Sequence, residues 1–186
     1  MKFGDNQIAG TLFILGSLQF ILCMLIAESI YPGYSVSKNF ISDLGVGPTA
    51  PLFNSSIILF GISLLASSFF INRLFKYLPV TILLLVTSLG VIGVGIFPEN
   101  IKLWHFIASF IAFFFGATVA IVTYKLEKPP LSYLSVVLGL ISLASLVLFV
   151  SGIHLGLGIG GIERMIAYPT LLWAIAFGGY LISCQN

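Results

Sequence analysis

Six long apolar runs, separated by short polar breaks, make up almost the whole chain. A helix needs about 20 mostly apolar residues to cross the hydrocarbon of a bilayer. Residues 8–30, 50–71, 79–97, 103–124, 131–153 and 163–183 meet that requirement. Within each run the apolar positions are continuous and do not alternate with polar ones, which excludes a membrane β-barrel. Lipid offers no partner to a bare peptide group, so each run must pair its own backbone as a helix. The pattern predicts an all-α integral membrane protein, one domain built as a bundle of six transmembrane helices.

The breaks carry helix punctuation. Pro98-Glu99-Asn100 ends the third run and places Asn100 to cap the fourth helix. Pro129 and Pro130 close the link after the fourth. Thr49 is placed to cap the second helix, with Pro51 tolerated in its first turn. The most unusual break is NFISDLGVGPTAPLFN, residues 39–54, which sets Asp43, two glycines and two prolines between two apolar runs. Ser37 is expected to cap a short turn there that ends in a left-handed Gly45.

Composition agrees with a lipid solvent: 59% of residues are hydrophobic and 8% charged. A net charge of +2, scattered along the chain, gives no footprint for nucleic acid. The first run is longer than the roughly 7–15-residue apolar core of a signal peptide, so it reads as a retained span. Cys23 and Cys184 fall toward opposite membrane faces, and no disulfide is expected. Cys184, followed by Gln185 and Asn186, does not form a prenylation box.

Six spans put Lys2, Arg73, Lys76, Lys125 and Lys128 on one face and Lys38, Lys102 and Arg164 on the other. The bias of Lys and Arg toward cytoplasmic loops makes the first face cytoplasmic, with both termini there, in a plasma membrane.

Placing the rare polar groups on this topology changes the picture. Glu28, Asp43, Glu99 and Glu163, four of the six acids, share the outer face with His105, His154 and Arg164. Glu163 and Arg164 are read as opening the sixth helix, and His154 as ending the fifth. Ionisable groups near membrane depth are costly and point to function. Charges at helix ends are also ordinary, because the interface is wet. The asymmetry between the two faces carries more weight than any single residue. The 39–54 loop is therefore expected to form a lid or wall over this cluster.

Several chemistries fit. His105 and His154 with Asp43, Glu99 or Glu163 could hold zinc and leave a position for water, although no tight ligand spacing such as HExxH is present. The same histidines could ligate a haem from two helices, the less favoured option. Either could serve as a general base, with Asp43 or Glu99 as the accompanying carboxylate. Each could equally be a buried histidine bonded to a neighbouring helix. No cofactor is demanded by the sequence. Asp43 could pair with Arg164 or Lys102 and close the loop. Ser42, Asp43, Asn54, Lys102, Glu163 and Arg164 are the candidate binding residues. The GxGxxG spacing of Gly156, Gly158 and Gly161 lacks a preceding βαβ unit and reads as a tight link or as close helix packing. Asn54-Ser55-Ser56 falls where a span begins and is not read as a glycosylation site. Trp104, Trp173 and Tyr168 read as interface anchors.

FISDLG, LFN at the head of the second helix, GIFPEN followed by LWHFIASF, and GIERMIAYPTLLW occur in an order and spacing that resemble the membrane family catalogued as domain of unknown function 998. That resemblance covers nearly the whole chain and implies a six-span protein of bacterial or archaeal type, without an established activity. A more distant likeness is to the Frag1/DRAM/Sfk1 group of six-span eukaryotic proteins, through Ile41, Ser42, Asp43 and Gly45 before the second helix and His105 early in the fourth. Some members of that group are linked to lipid remodelling or asymmetry, which suggests lipid handling here and carries over no catalytic residue. Ceramidase-like membrane hydrolases, by contrast, use three histidines in seven spans, and this chain has two histidines and six spans.

The leading expectation is a protein that handles a membrane lipid or amphiphile at an outer polar site, with Arg164 and Lys102 attracting phosphate. A metal- or histidine-dependent membrane hydrolase acting on a lipid is the second. A structural subunit, with a membrane-protein partner or as a homo-oligomer, is the third.

Overall fold

A computed structural model describes residues 3–184. Lys2, counted above with one basic face, and Gln185 and Asn186, which follow Cys184, lie outside the described residues. Six helices form: α1 (Asp5–Ile30), α2 (Ala50–Phe75), α3 (Leu78–Ile96), α4 (Lys102–Val122), α5 (Leu131–Val150) and α6 (Gly158–Ser183). All six are long and apolar enough to cross a membrane, and there is no strand among the described residues. The protein is an all-α, multipass membrane bundle.

Each helix packs on its neighbours in sequence, and α1 packs on α6, so the six close into a ring. The closing seam runs on facing glycines. A Cβ on Gly10 would overlap the Gly178 carbonyl, and one on Gly178 would overlap that of Gly10. Small residues let the two backbones approach this closely. Beside them Phe13 meets Trp173 and Phe177 edge to face, with ring centroids 5.9 and 5.4 Å apart. Such pairs add roughly 0.5–1.5 kcal/mol beyond area burial.

The long connection 31–49 lies on one end of the ring with the links 97–101 and 151–157; this is the loop face. The links 76–77 and 123–130 lie at the other end, the turn face. Arg73, Lys76, Lys125 and Lys128 fall at the turn face, and Lys38, Lys102 and Arg164 at the loop face. At the turn face Arg73 pairs with Asp5 at 3.0 Å.

The structure corrects several local expectations. α6 begins at Gly158, five residues earlier than the apolar run suggests, so Glu163 and Arg164 lie inside the helix rather than at its mouth. α5 ends at Val150 and leaves His154 in the following link. Thr49 does not cap α2; its hydroxyl donates to the Leu44 carbonyl at 2.7 Å and folds the loop on itself. Asn100 does not cap α4, which starts after Ile101 with no side-chain cap. The left-handed glycine of the loop is Gly47, at φ 80°, and Gly45 instead lies against Asn54 and Phe53. Trp173 is no interface anchor: it is 3% exposed, and its Nε1–H donates to Thr123 Oγ1 at 3.1 Å. Trp104, 55% exposed and stacked on Phe97, does sit at the surface.

Candidate functional site

Arg164 organises the loop face. Only 4% exposed, it forms an ion pair through Nη2 with Glu28 at the end of α1. The same nitrogen donates to the Tyr34 hydroxyl at 2.7 Å. Nη1 donates to the backbone carbonyls of Val36 at 3.0 Å and Gly160 at 2.8 Å. The Tyr34 hydroxyl itself donates to the Phe40 carbonyl at 2.7 Å. The guanidinium therefore fastens α6 to α1 and to the loop between them. A planar fork of fixed donors suits this work, and a buried charge in the membrane needs it. The two terminal nitrogens of Arg164 are thus engaged within the protein, while its Nε has no hydrogen-bond partner among the described residues.

The glycines ahead of Arg164 make the same contact possible. Gly160 N–H donates to the Ser37 carbonyl at 3.1 Å. A Cβ at Gly160 would overlap the Asn39 carbonyl, so only glycine lets the loop lie on this turn. Gly158 and Gly160 are the docking surface for the loop, against Ser37 and Asn39.

Asp43 pairs with neither Arg164 nor Lys102. Its Oδ2 accepts from the Asn39 side chain and the Phe40 backbone, both at 2.9 Å. The two ion pairs among the described residues are Arg73–Asp5 and Arg164–Glu28. Asn54 donates to the Gly45 carbonyl at 3.0 Å and so holds the loop to α2. Glu28 and Tyr34 as partners of Arg164, and Asn39 as partner of Asp43, were not singled out from the sequence. An acid closing an apolar span with no cation nearby in sequence is the signal in the chain that marks Glu28 as needing a distant partner.

Behind this brace lie two cavities. The first, about 380 Å³, opens between α4, α5, α6 and the loop. Ser42, Glu99, Lys102, His105 and Glu163 form its polar end, and Phe106, Phe110, Phe113, Leu146, Phe149 and Val150 its apolar wall. The second, about 90 Å³, runs into the centre of the ring among Phe20, Phe60, Leu64, Val91 and Trp173. Ser42, Ser109, Phe113 and Glu163 line both. The 39–54 loop supplies Phe40, Ile41 and Ser42 as one wall. His154, half-buried in the link after α5, lines neither cavity.

His105 is 9% exposed and fully used. Its Nδ1 lies 2.8 Å from the Phe97 carbonyl, which can only accept, so Nδ1 carries the proton. Nε2 then accepts from the Ser109 hydroxyl at 3.1 Å. The imidazole is thereby locked between the end of α3 and its own helix. Ligation of zinc or haem by His105 would cost the Ser109 bond. Among the described residues no group of three or more His, Cys, Asp or Glu side chains is placed to hold a metal ion.

The carboxylates form the distinctive chemistry. Ser42 donates to Glu99 Oε2 at 3.0 Å. Burial, together with the hydrogen bond and negative charge of the adjacent Asp43, raises Glu99 from 4.5 to about 7, with Ser42 pulling the other way. Glu163 is 5% exposed and accepts from the Ile41 backbone N–H at Oε2. Its Oε1 has no donor among the described residues. The polar end of the cavity is thus acidic, with Lys102 exposed at its rim.

On the turn face a second buried acid stands apart. Glu127 is raised by burial to about 7, and neither of its oxygens has a hydrogen-bond partner among the described residues.

No curated protein and no solved structure matches the chain. The family model described as "Protein of unknown function (DUF998)" matches residues 14–180. With six apolar helices in the span it covers, the chain belongs to that family.

Proposed function

We propose that the protein holds a membrane amphiphile, its head at the acidic end of the larger cavity and its chain along the apolar wall toward the centre of the ring. One observation carries this reading: Ser42, Ser109, Phe113 and Glu163 line both cavities, so the polar end of the larger one and the apolar interior of the smaller one lie side by side against the same side chains. Largely apolar cavities with a few convergent polar groups are the usual form of ligand sites. The loop face lies outside the cell in a plasma membrane, which is supported by the greater share of Lys and Arg at the turn face.

Trp173 lines the inner cavity and is shielded from the bilayer. The chain has two tryptophans, so Trp104→Phe leaves Trp173 as a single reporter. In nanodiscs of phosphatidylcholine, small additions of lipid with brominated acyl chains should quench Trp173 saturably, at a single lipid per chain. Quenching that only follows the bulk fraction of brominated lipid would overturn the reading.

The hydrolase reading has one observation in its favour, the Ser42 hydroxyl donating to Glu99 beside the cavity. It requires turnover of a bound lipid that Glu99→Gln abolishes while binding persists.

A further inference from the structure

We infer that the headgroup suited to this cavity carries a primary ammonium rather than a phosphate. This inference rests on the amphiphile reading above and names its ligand class. The cation that the sequence offers to a phosphate, Arg164, is enclosed by Glu28, Tyr34 and backbone carbonyls. The Nδ1–H of His105 is spent on the Phe97 carbonyl, and Nε2 is held by the Ser109 hydroxyl. Lys102 stands at the solvent-exposed rim, where its charge is screened.

The interior wall is of the opposite kind. Glu163 lies on both cavities, nine-tenths buried, with no cation paired to it and Oε1 without a donor among the described residues. Glu99 and Ser42 line the same end, and Asp43 stands behind Glu99. A phosphate there would add negative charge to three carboxyl groups in a poorly hydrated place. An ammonium brings three N–H donors. Glu163, Glu99 and the Ser42 hydroxyl oxygen are three acceptors on one wall. Hydrogen bonds to charged groups are the stronger ones and are favoured away from water. A quaternary ammonium would supply the charge without the donors.

The test uses the Trp104→Phe protein in a neutral detergent. The probes are dodecylamine, dodecyltrimethylammonium, dodecanol and dodecyl phosphate, each titrated against bound brominated lipid, with recovery of Trp173 emission as readout. Dodecylamine should displace the lipid at a concentration at least about tenfold below that of dodecanol. Dodecyltrimethylammonium should fall between them, and dodecyl phosphate should be weakest. Within each variant, the amine-to-alcohol ratio should drop about tenfold on Glu163→Gln. Glu99→Gln should lower it also, which serves if the first variant does not fold. Displacement by all four probes at equal concentration, or preference for the phosphate, overturns the ammonium assignment and leaves the amphiphile reading standing. Saturable quenching that never occurs in the first place removes both.

Discussion

Arg164 and Glu28 meet although 136 positions separate them, and their ion pair joins the last helix of the ring to the first. Both partners are largely buried, at 5% and 12% side-chain exposure. Removing one member of such a pair strands the other, at about 3–5 kcal/mol. Arg164→Ala and Glu28→Ala should each lower the thermal unfolding midpoint in detergent. The double variant Glu28→Leu with Arg164→Met should be more stable than either single one, because no charge is left alone. If the singles unfold like the parent protein, Arg164 is not the fastener described here.

Glu99 sets a pH dependence. An acid whose value is raised on folding, here from 4.5 to about 7, binds its proton more tightly in the folded state than in the unfolded one. Stability should therefore fall as pH rises from about 4.5 to about 7 and level off above that. Glu127, raised to about 7 by burial, adds to the same slope from the turn face. Unfolding midpoints measured across that window should flatten in part with Glu99→Gln and further with Glu127→Gln added. A slope unmoved by both would show that other groups cause it.

Gly160 has no room for a side chain beneath the Asn39 carbonyl. Gly160→Ala should cost about 1–3 kcal/mol, the range for overpacking. It should also lift the 31–41 segment and speed its cleavage by added protease. Gly179, with open space around it, is the control. Gly179→Ala should leave both readouts near the parent values.

Topology can be checked directly. In a protein with Cys23 and Cys184 replaced by Ser, Lys38→Cys should react with a membrane-impermeant maleimide on intact cells. Lys76→Cys and Lys128→Cys, both exposed at the turn face, should react only after permeabilisation. The opposite pattern would reverse the orientation and place the acidic cavity toward the cytoplasm.

The spans were legible because continuous apolar length is a strong one-dimensional signal, and six such runs leave little choice of fold. The gathering of Glu28, Asp43, Glu99, His105 and Glu163 at one end followed from counting crossings. Their pairing did not. Four acids and three cations share the loop face, and choosing Glu28 over Asp43 for Arg164 depends on the path of the 31–41 segment, which hydropathy does not encode. The GLGIGG run read as a link because glycine is a poor helix former. The missing side chains of Gly158 and Gly160 serve instead to admit the backbone of the loop. By type alone Trp173 reads as a belt residue. Its position, fifteen residues into α6 and so about 22 Å along the helix axis, was the better guide.

The Arg164–Glu28 contact also orders events during synthesis. α1 enters the membrane with an acid at its end and no partner, and it stays so while the next four helices are made. Only when α6 arrives can the acid be neutralised, the glycine seam between Gly10 and Gly178 close, and the loop settle on its turn of helix. A chain cut short before α6 carries an unanswered charge and an open seam, a mark by which unfinished molecules differ from finished ones.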